Sequence, residues 1–233
     1  MRASSTLLTL ADGRLPAGGH AHSAGLEEAV ASGRIASTSD LAAFLVGQLQ
    51  TTGRVDAALA AVGCWVSPSL DDLFSLQAQA IARSPSPAQR RASRAKGRGL
   101  FRAAQAMWAP PAVAWLSQLS DRCAGGPMYP MALGAVAASV GLGPLEVALV
   151  AAQGSVSGPA WAATRLLGID PFAVGRCLVE LAPAVEQVAS EASALTSSPS
   201  LAEAIAELPS YAAVLVEIGA EAHAGWEVRL FAS

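Results

Sequence analysis

The chain has 233 residues, of which 52% are hydrophobic, 14% charged and only 5% aromatic, with a formal net charge of −3. That length admits one large domain or two small ones, and an alanine- and leucine-rich, aromatic-poor composition favours helices. The small negative charge gives no global ground for nucleic-acid binding, and three isolated cysteines, Cys64, Cys123 and Cys177, form no disulfide framework, which fits a reducing compartment.

Residues 7–11 are an apolar run that ends at Asp12. A loop follows, punctuated by Gly13, Pro16, Gly18 and Gly19 and closing on His20, His22 and Ser23, and a helix is expected to begin near Ala24. Glycine allows close backbone approach and proline fixes φ, so this density describes a loop of defined shape. Leu41, Phe44, Leu45 and Leu49 then fall at helical spacing behind the caps Ser39 and Asp40. A proline after a Ser, Gly or Asp cap marks helix starts at Ser67-Pro68, Ser86-Pro87, Gly143-Pro144, Asp170-Pro171 and Ser198-Pro199. Leu201, Ile205, Leu208 and Ala212 make another stripe, and Pro183 and Pro209 are expected to kink or interrupt their helices. With no alternating strand and no Asn-Gly hairpin, the reading is one all-α domain over residues 1–233, a bundle of roughly eight to ten helices. Loops are expected near residues 34–39, 84–87, 124–127, 168–170 and 196–199.

Residues 124–145 and 147–164 carry no charge except that Glu146 divides them, and each run is long enough to span a bilayer. Their prolines, glycines and alanines, without a Lys/Arg-rich flank, point instead to buried helices or a partner-facing surface. Gly154, Ser155, Ser157, Gly158, Ala160, Ala162 and Ala163 would let another helix approach closely, in the core or on a second subunit. No charged start followed by an apolar stretch marks a signal peptide, so a cytoplasmic location is expected. Charge is unevenly placed. Between Leu73 and Ser120 lie Arg83, Arg90, Arg91, Arg94, Lys96, Arg98 and Arg102 and no acid, whereas eight glutamates and only Arg229 lie from Glu180 onward. That asymmetry suits an acidic helix laid across a basic one, or two docking faces. With only Phe101 and Trp108 near the basic stretch, a nucleic-acid footprint is not indicated.

His20-x-His22, with Asp12 upstream, is the pattern closest to a metal site, through imidazole and carboxylate. The alternative is that both histidines cap the next helix or satisfy loop carbonyls. Ser23 lacks a nucleophile elbow, Gly18-Gly19 lacks a phosphate-loop ending, and Glu27-Glu28 and Asp71-Asp72 read as first turns of helices. No catalytic site emerges, and the residues describe a helical binding protein without enzymatic activity.

Five segments, in order, carry a family resemblance. Leu8, Leu10, Asp12, Pro16, Gly18, His20, His22, Ser23, Gly25, Leu26 and Glu27 match an N-terminal signature, with Gly13 where serine is usual and His20 where phenylalanine is often found. Ser93-Arg94-Ala95-Lys96-Gly97-Arg98-Gly99-Leu100, Tyr129-Pro130-Met131-Ala132-Leu133-Gly134, Ala163-Thr164-Arg165-Leu166-Leu167-Gly168 and the stretch from His223 to Arg229-Leu230-Phe231-Ala232-Ser233 follow. Together they resemble the urease accessory protein UreF family, in an actinobacterial-like form. The resemblance implies an all-α, dimerising, cytoplasmic co-chaperone with no catalytic residues and no firmly bound cofactor. It would act with UreD (also called UreH) and the GTPase UreG, which handles GTP, in nickel insertion into apo-urease. It places partner contacts in a docking loop, residues 7–28, and a tail, residues 222–233. The residues it singles out are Asp12, Pro16, Gly18, His22, Ser23, Glu27, Arg94, Arg98, Tyr129, Arg165, His223, Trp226, Arg229 and Phe231, with a helical protein carrying nickel through His20 and His22 as the alternative.

Overall fold

The structure is a computed structural model and describes residues 2–232. Its helices are α1 (Arg2–Ala11), α2 (Leu26–Ala31), α3 (Thr38–Gln48), α4 (Arg54–Val66), α5 (Leu70–Ala82), α6 (Pro87–Met107), α7 (Pro110–Val113), α8 (Leu116–Arg122), α9 (Tyr129–Ser139), α10 (Pro144–Leu166), α11 (Pro171–Ala194), α12 (Leu201–Glu207) and α13 (Val214–Ala224). No strand occurs among the described residues, so the fold is all-α, and nine of these helices have ten residues or more.

α4 is the axis of the fold. Val55, Ala57, Ala58, Leu59, Ala60, Ala61, Val62, Gly63 and Cys64 are all buried, so the helix is apolar nearly all round, which is the pattern of a helix enclosed by others. α9, α10 and α11 enclose it, and α6 lies on α9. Small side chains let these helices touch backbone to backbone. A Cβ at Gly134 would stand 2.4 Å from the Ala60 carbonyl oxygen and 2.7 Å from the Cys64 nitrogen. The charge-free runs are α9, buried from Pro130 to Ala137, and α10, and no helix among the described residues is long and apolar enough to cross a membrane. The small-residue face of α10 splits in two. Ala160, Ala162 and Ala163 are buried, whereas Gly154 and Gly158 are exposed with open space beside them.

The caps explain most boundaries and correct several. Ser86, Gly143 and Asp170 are N-caps with proline next, as the sequence indicates. At Ser67-Pro68 and Ser198-Pro199 the cap is instead the serine preceding the first leucine: Ser69 Oγ accepts from Asp72 N–H and Ser200 Oγ from Glu203 N–H. α3 is capped by Ser37 rather than Ser39, because Asp40 closes a capping box with it. α11 runs through Pro183 without interruption. The carbonyl that proline leaves unpaired belongs to Val179, which is exposed and can bond water. Pro209 lies beyond the end of α12, and Ala212 lies outside any helix. α2 begins at Leu26, two residues later than expected. Ala24 and Gly25 have φ of 54° and 87°, a left-handed pair that turns the loop into the helix.

Candidate functional site

The five signature segments, scattered over the sequence, meet in one place. The first is the hub. Glu27 is buried in the first turn of α2, and its carboxylate receives Leu230 N–H at 2.6 Å, Phe231 N–H at 2.9 Å and His223 Nε2 at 2.8 Å. An ionised carboxylate only accepts, so Nε2 carries the proton. Burial pushes the Glu27 carboxyl up, but the hydrogen bonds from Leu230, His223 and Phe231 outweigh it and hold the group below the usual range. Ala232 N–H donates to the Ala21 carbonyl at 2.7 Å, so the tail lies along the loop. Arg165 of the fourth segment stands 5.1 Å above the Phe231 ring, and Trp226 sits 4.8 Å from the His223 ring.

The second and third segments join the hub through missing side chains. A Cβ at Gly99 would be 2.4 Å from the Ala17 carbonyl oxygen, and one at Gly97 would be 2.1 Å from that of Pro127. Ser93 Oγ accepts from Tyr129 N–H at 2.9 Å, so α6 caps the start of α9. Buried Gln77 fixes the preceding loop, donating to the Gly126 carbonyl and accepting from Met128 N–H. Arg94 and Arg98 clasp that loop too. Arg98 Nη1 donates to the Gly125 carbonyl and Arg94 packs on Gly125, so both arginines lie against this loop. The acidic-on-basic reading is realised by α13 across α6: Glu221 accepts from Ser86 Oγ and Ala88 N–H at the α6 N-terminus.

The metal reading finds no support. Asp12 is taken by Arg14, whose guanidinium and backbone N–H both donate to it and hold its carboxyl down at about 2. His20 is exposed, and burial pulls His22 down to about 4, helped by the charges of Lys96 and His20. No cluster of three or more His, Cys, Asp or Glu forms among the described residues. The cysteines are buried and free, and burial pushes the Cys64 thiol up to about 11, which makes it a poor nucleophile.

The singled-out residues therefore divide. Ser23, Glu27, His223 and Phe231 are buried and hold the surface in shape, whereas Pro16, Arg165 and Arg229 are exposed and Asp12, Gly18, His22, Tyr129 and Trp226 half-buried. The sequence reading passed over the outer face of α13. Val214, Leu215 and Ile218 are each about 60% exposed, and Tyr211, Val228 and Leu230 are exposed as well. An apolar triplet on a helix that already buries Gly219, Ala220 and His223 on its other side was the available signal.

A cavity of about 140 Å³ opens beneath this junction, lined by His22, Gln48, Asp56, Lys96, Met128 and His223 among others. Asp56 and Lys96 were also missed, although one acid inside the apolar α4 run is a signal in itself. Burial pushes Asp56 up to about 6 against the pull of Lys96, and burial draws Lys96 below the ordinary lysine range against that of Asp56. Lys96 Nζ lies 4.5 Å over the Tyr129 ring, whose hydroxyl burial pushes up to about 12.

Comparison with known proteins places the chain among named relatives. A family model described as UreF matches residues 35–182. The urease accessory protein UreF of Mycobacterium sp. (strain JLS) is 42% identical over 193 residues, covering 83% of this chain and 87% of that one. Those of Mycolicibacterium vanbaalenii and Mycobacterium tuberculosis are 40% identical over 193 and 194 residues, with the same shares covered. With the helical fold, the converging segments and these relatives in agreement, the chain belongs to the UreF family.

Proposed function

We propose that this protein is a urease accessory protein, an adaptor that works by protein–protein contact in urease maturation and nickel insertion. The carrying observation is the convergence of five separated segments on one loop–tail junction flanked by the exposed apolar face of α13. Apolar and aromatic residues beside arginine are the residue types that anchor interfaces, here Val214, Leu215, Ile218, Trp226 and Arg229. The partners are UreD (UreH), the GTPase UreG and the urease apoenzyme. Nickel is cargo of the complex, and GTP belongs to UreG. The protein works in the cytoplasm, is not an enzyme, and pairs with a second copy through the α10–α11 side, where Trp161, Phe172 and Val179 are exposed.

The test is co-expression with tagged UreD and UreG followed by urease activation at limiting nickel and bicarbonate. Co-purification, and activation that depends on this chain, support the reading. Full activation in its absence overturns it. Sedimentation of the isolated protein at several concentrations decides the dimer.

A further inference from the structure

Arg14, Arg34, Arg54 and Arg122 each hold a carboxylate. The arginines along α6 do not. Arg94, Arg98 and Arg102 follow one another four residues apart and so share one side of the helix, and none has an ion pair among the described residues. Of their many donors only Arg98 Nη1 finds an acceptor, the Gly125 carbonyl, while Arg94 Nε is buried with none. Like charges four apart on a helix repel, so this row works against the helix that carries it. Arg91 continues the row, but it already lies in the field of Glu221.

The row borders a groove. Arg98, Arg102 and Gln105 of α6 face Ser117, Ser120 and Asp121 of α8 across a space of about 500 Å³, with Phe101 buried beneath. Asp121 is the single acid of this wall and pairs with neither arginine, and its neighbour Arg122 is turned to Asp71. We propose that the groove docks an acidic segment of a partner protein. The three arginines span about 12 Å of helix, along which the carboxylates of a short peptide are taken two hydrogen bonds at a time by the guanidinium forks. An isolated small anion would engage only one point of such a row. Nucleic acid would want a positive chain and exposed rings to stack on, whereas this chain carries −3 and Phe101 is buried. A second copy, whose glutamates lie on other helices, would be met head to tail and would build rings or open chains instead of the pair proposed above. The proposal rests on the adaptor reading for the kind of partner but not for the site, and its test uses the isolated full chain, so that failure here leaves the urease activation result untouched.

Fluorescence anisotropy of a fluorescein-labelled octaglutamate peptide, at about 50 mM salt, reads the groove. Saturable binding is expected with a Kd of roughly 10–100 µM. Arg102→Gln, at an exposed side chain that makes no bond among the described residues, should weaken it about three- to tenfold, and Arg98→Gln/Arg102→Gln further. Asp121→Asn, which removes the one acid of the wall, should tighten it about two- to fivefold. Arg176→Gln, at an exposed position of α11, removes the same charge as Arg102→Gln and should leave binding unchanged. No saturation up to about 1 mM peptide overturns the proposal. Equal weakening by Arg102→Gln and Arg176→Gln also overturns it, because the attraction would then belong to the charge of the whole chain. Tighter binding of an eight-nucleotide oligothymidylate than of octaglutamate replaces the acidic segment with nucleic acid. Self-association in sedimentation that Arg102→Gln abolishes replaces it with a second copy.

Discussion

Glu27 and His223 lie 196 positions apart in sequence and 2.8 Å apart in the fold, and the same carboxylate also accepts the backbone N–H groups of Leu230 and Phe231. One buried acid thus ties the loop to the tail. Glu27→Gln keeps the size but places an amide donor among three donors, and is expected to cost about 2–3 kcal/mol in urea unfolding. Tail cleavage in limited proteolysis is expected to speed up with it. Phe231→Ala, which also loses the contact with Arg165, is expected to move both readouts in the same direction.

The backbone contact between α4 and α9 makes a sharper contrast. Gly134→Ala drives a methyl into the Ala60 carbonyl, and overpacking of this kind costs about 1–3 kcal/mol or more. Gly158→Ala, at an exposed position of α10 with open space beside it, is expected to gain about 0.5–1 kcal/mol. Thermal unfolding of the two variants should therefore diverge in sign. Equal losses would contradict the packing.

Two groups give opposite pH dependences. His22 is drawn from 6.5 to about 4 on folding, so its contribution is full above about 6.5 and is lost as the pH falls toward 4. Asp56 is pushed from 3.8 to about 6, so its contribution is full below 3.8 and is lost as the pH rises through about 6. His22→Gln should shrink the drop in stability between pH 7.5 and 5. Asp56→Asn should add about 1–3 kcal/mol at pH 7.5 and little at pH 4. Urea denaturation across that range checks both.

The face of α13 tests the adaptor role without disturbing the fold. Leu215→Asp and Ile218→Asp alter side chains more than 60% exposed, and stability is expected to stay within about 0.5 kcal/mol. Co-purification of UreD and urease activation are expected to fall at least about tenfold. Retention of both would move the docking surface elsewhere.

Much of this was legible before the fold was known. Helical periodicity and the Ser86-Pro87, Gly143-Pro144 and Asp170-Pro171 starts give most helices, because caps are local chemistry. The Ser37 and Ser69 caps were misplaced because two serines compete nearby and only the carboxylates of Asp40 and the turn geometry choose between them. The site was legible as segments but not as an assembly. Glu27 reads as an ordinary first-turn acid, and nothing local announces that His223 and the Phe231 N–H will reach it. Arg94 and Arg98 lie four apart on one helix, and nothing in that spacing announces that the loop carbonyl at Gly125 takes Arg98, where a glycine pair brings that backbone close. Long-range pairings of this kind carry no sequence periodicity.

The alanine-built α4 has one more consequence. Alanine and glycine have no rotamers to lose, so Ala57, Ala58, Ala60, Ala61 and Gly63 of this helix are ordered at little side-chain entropy cost. Those five positions also have no rotamers with which to adjust. Side-chain adjustment to a partner is therefore expected of longer, exposed side chains such as Tyr211, Leu215, Val228 and Leu230 rather than of those positions.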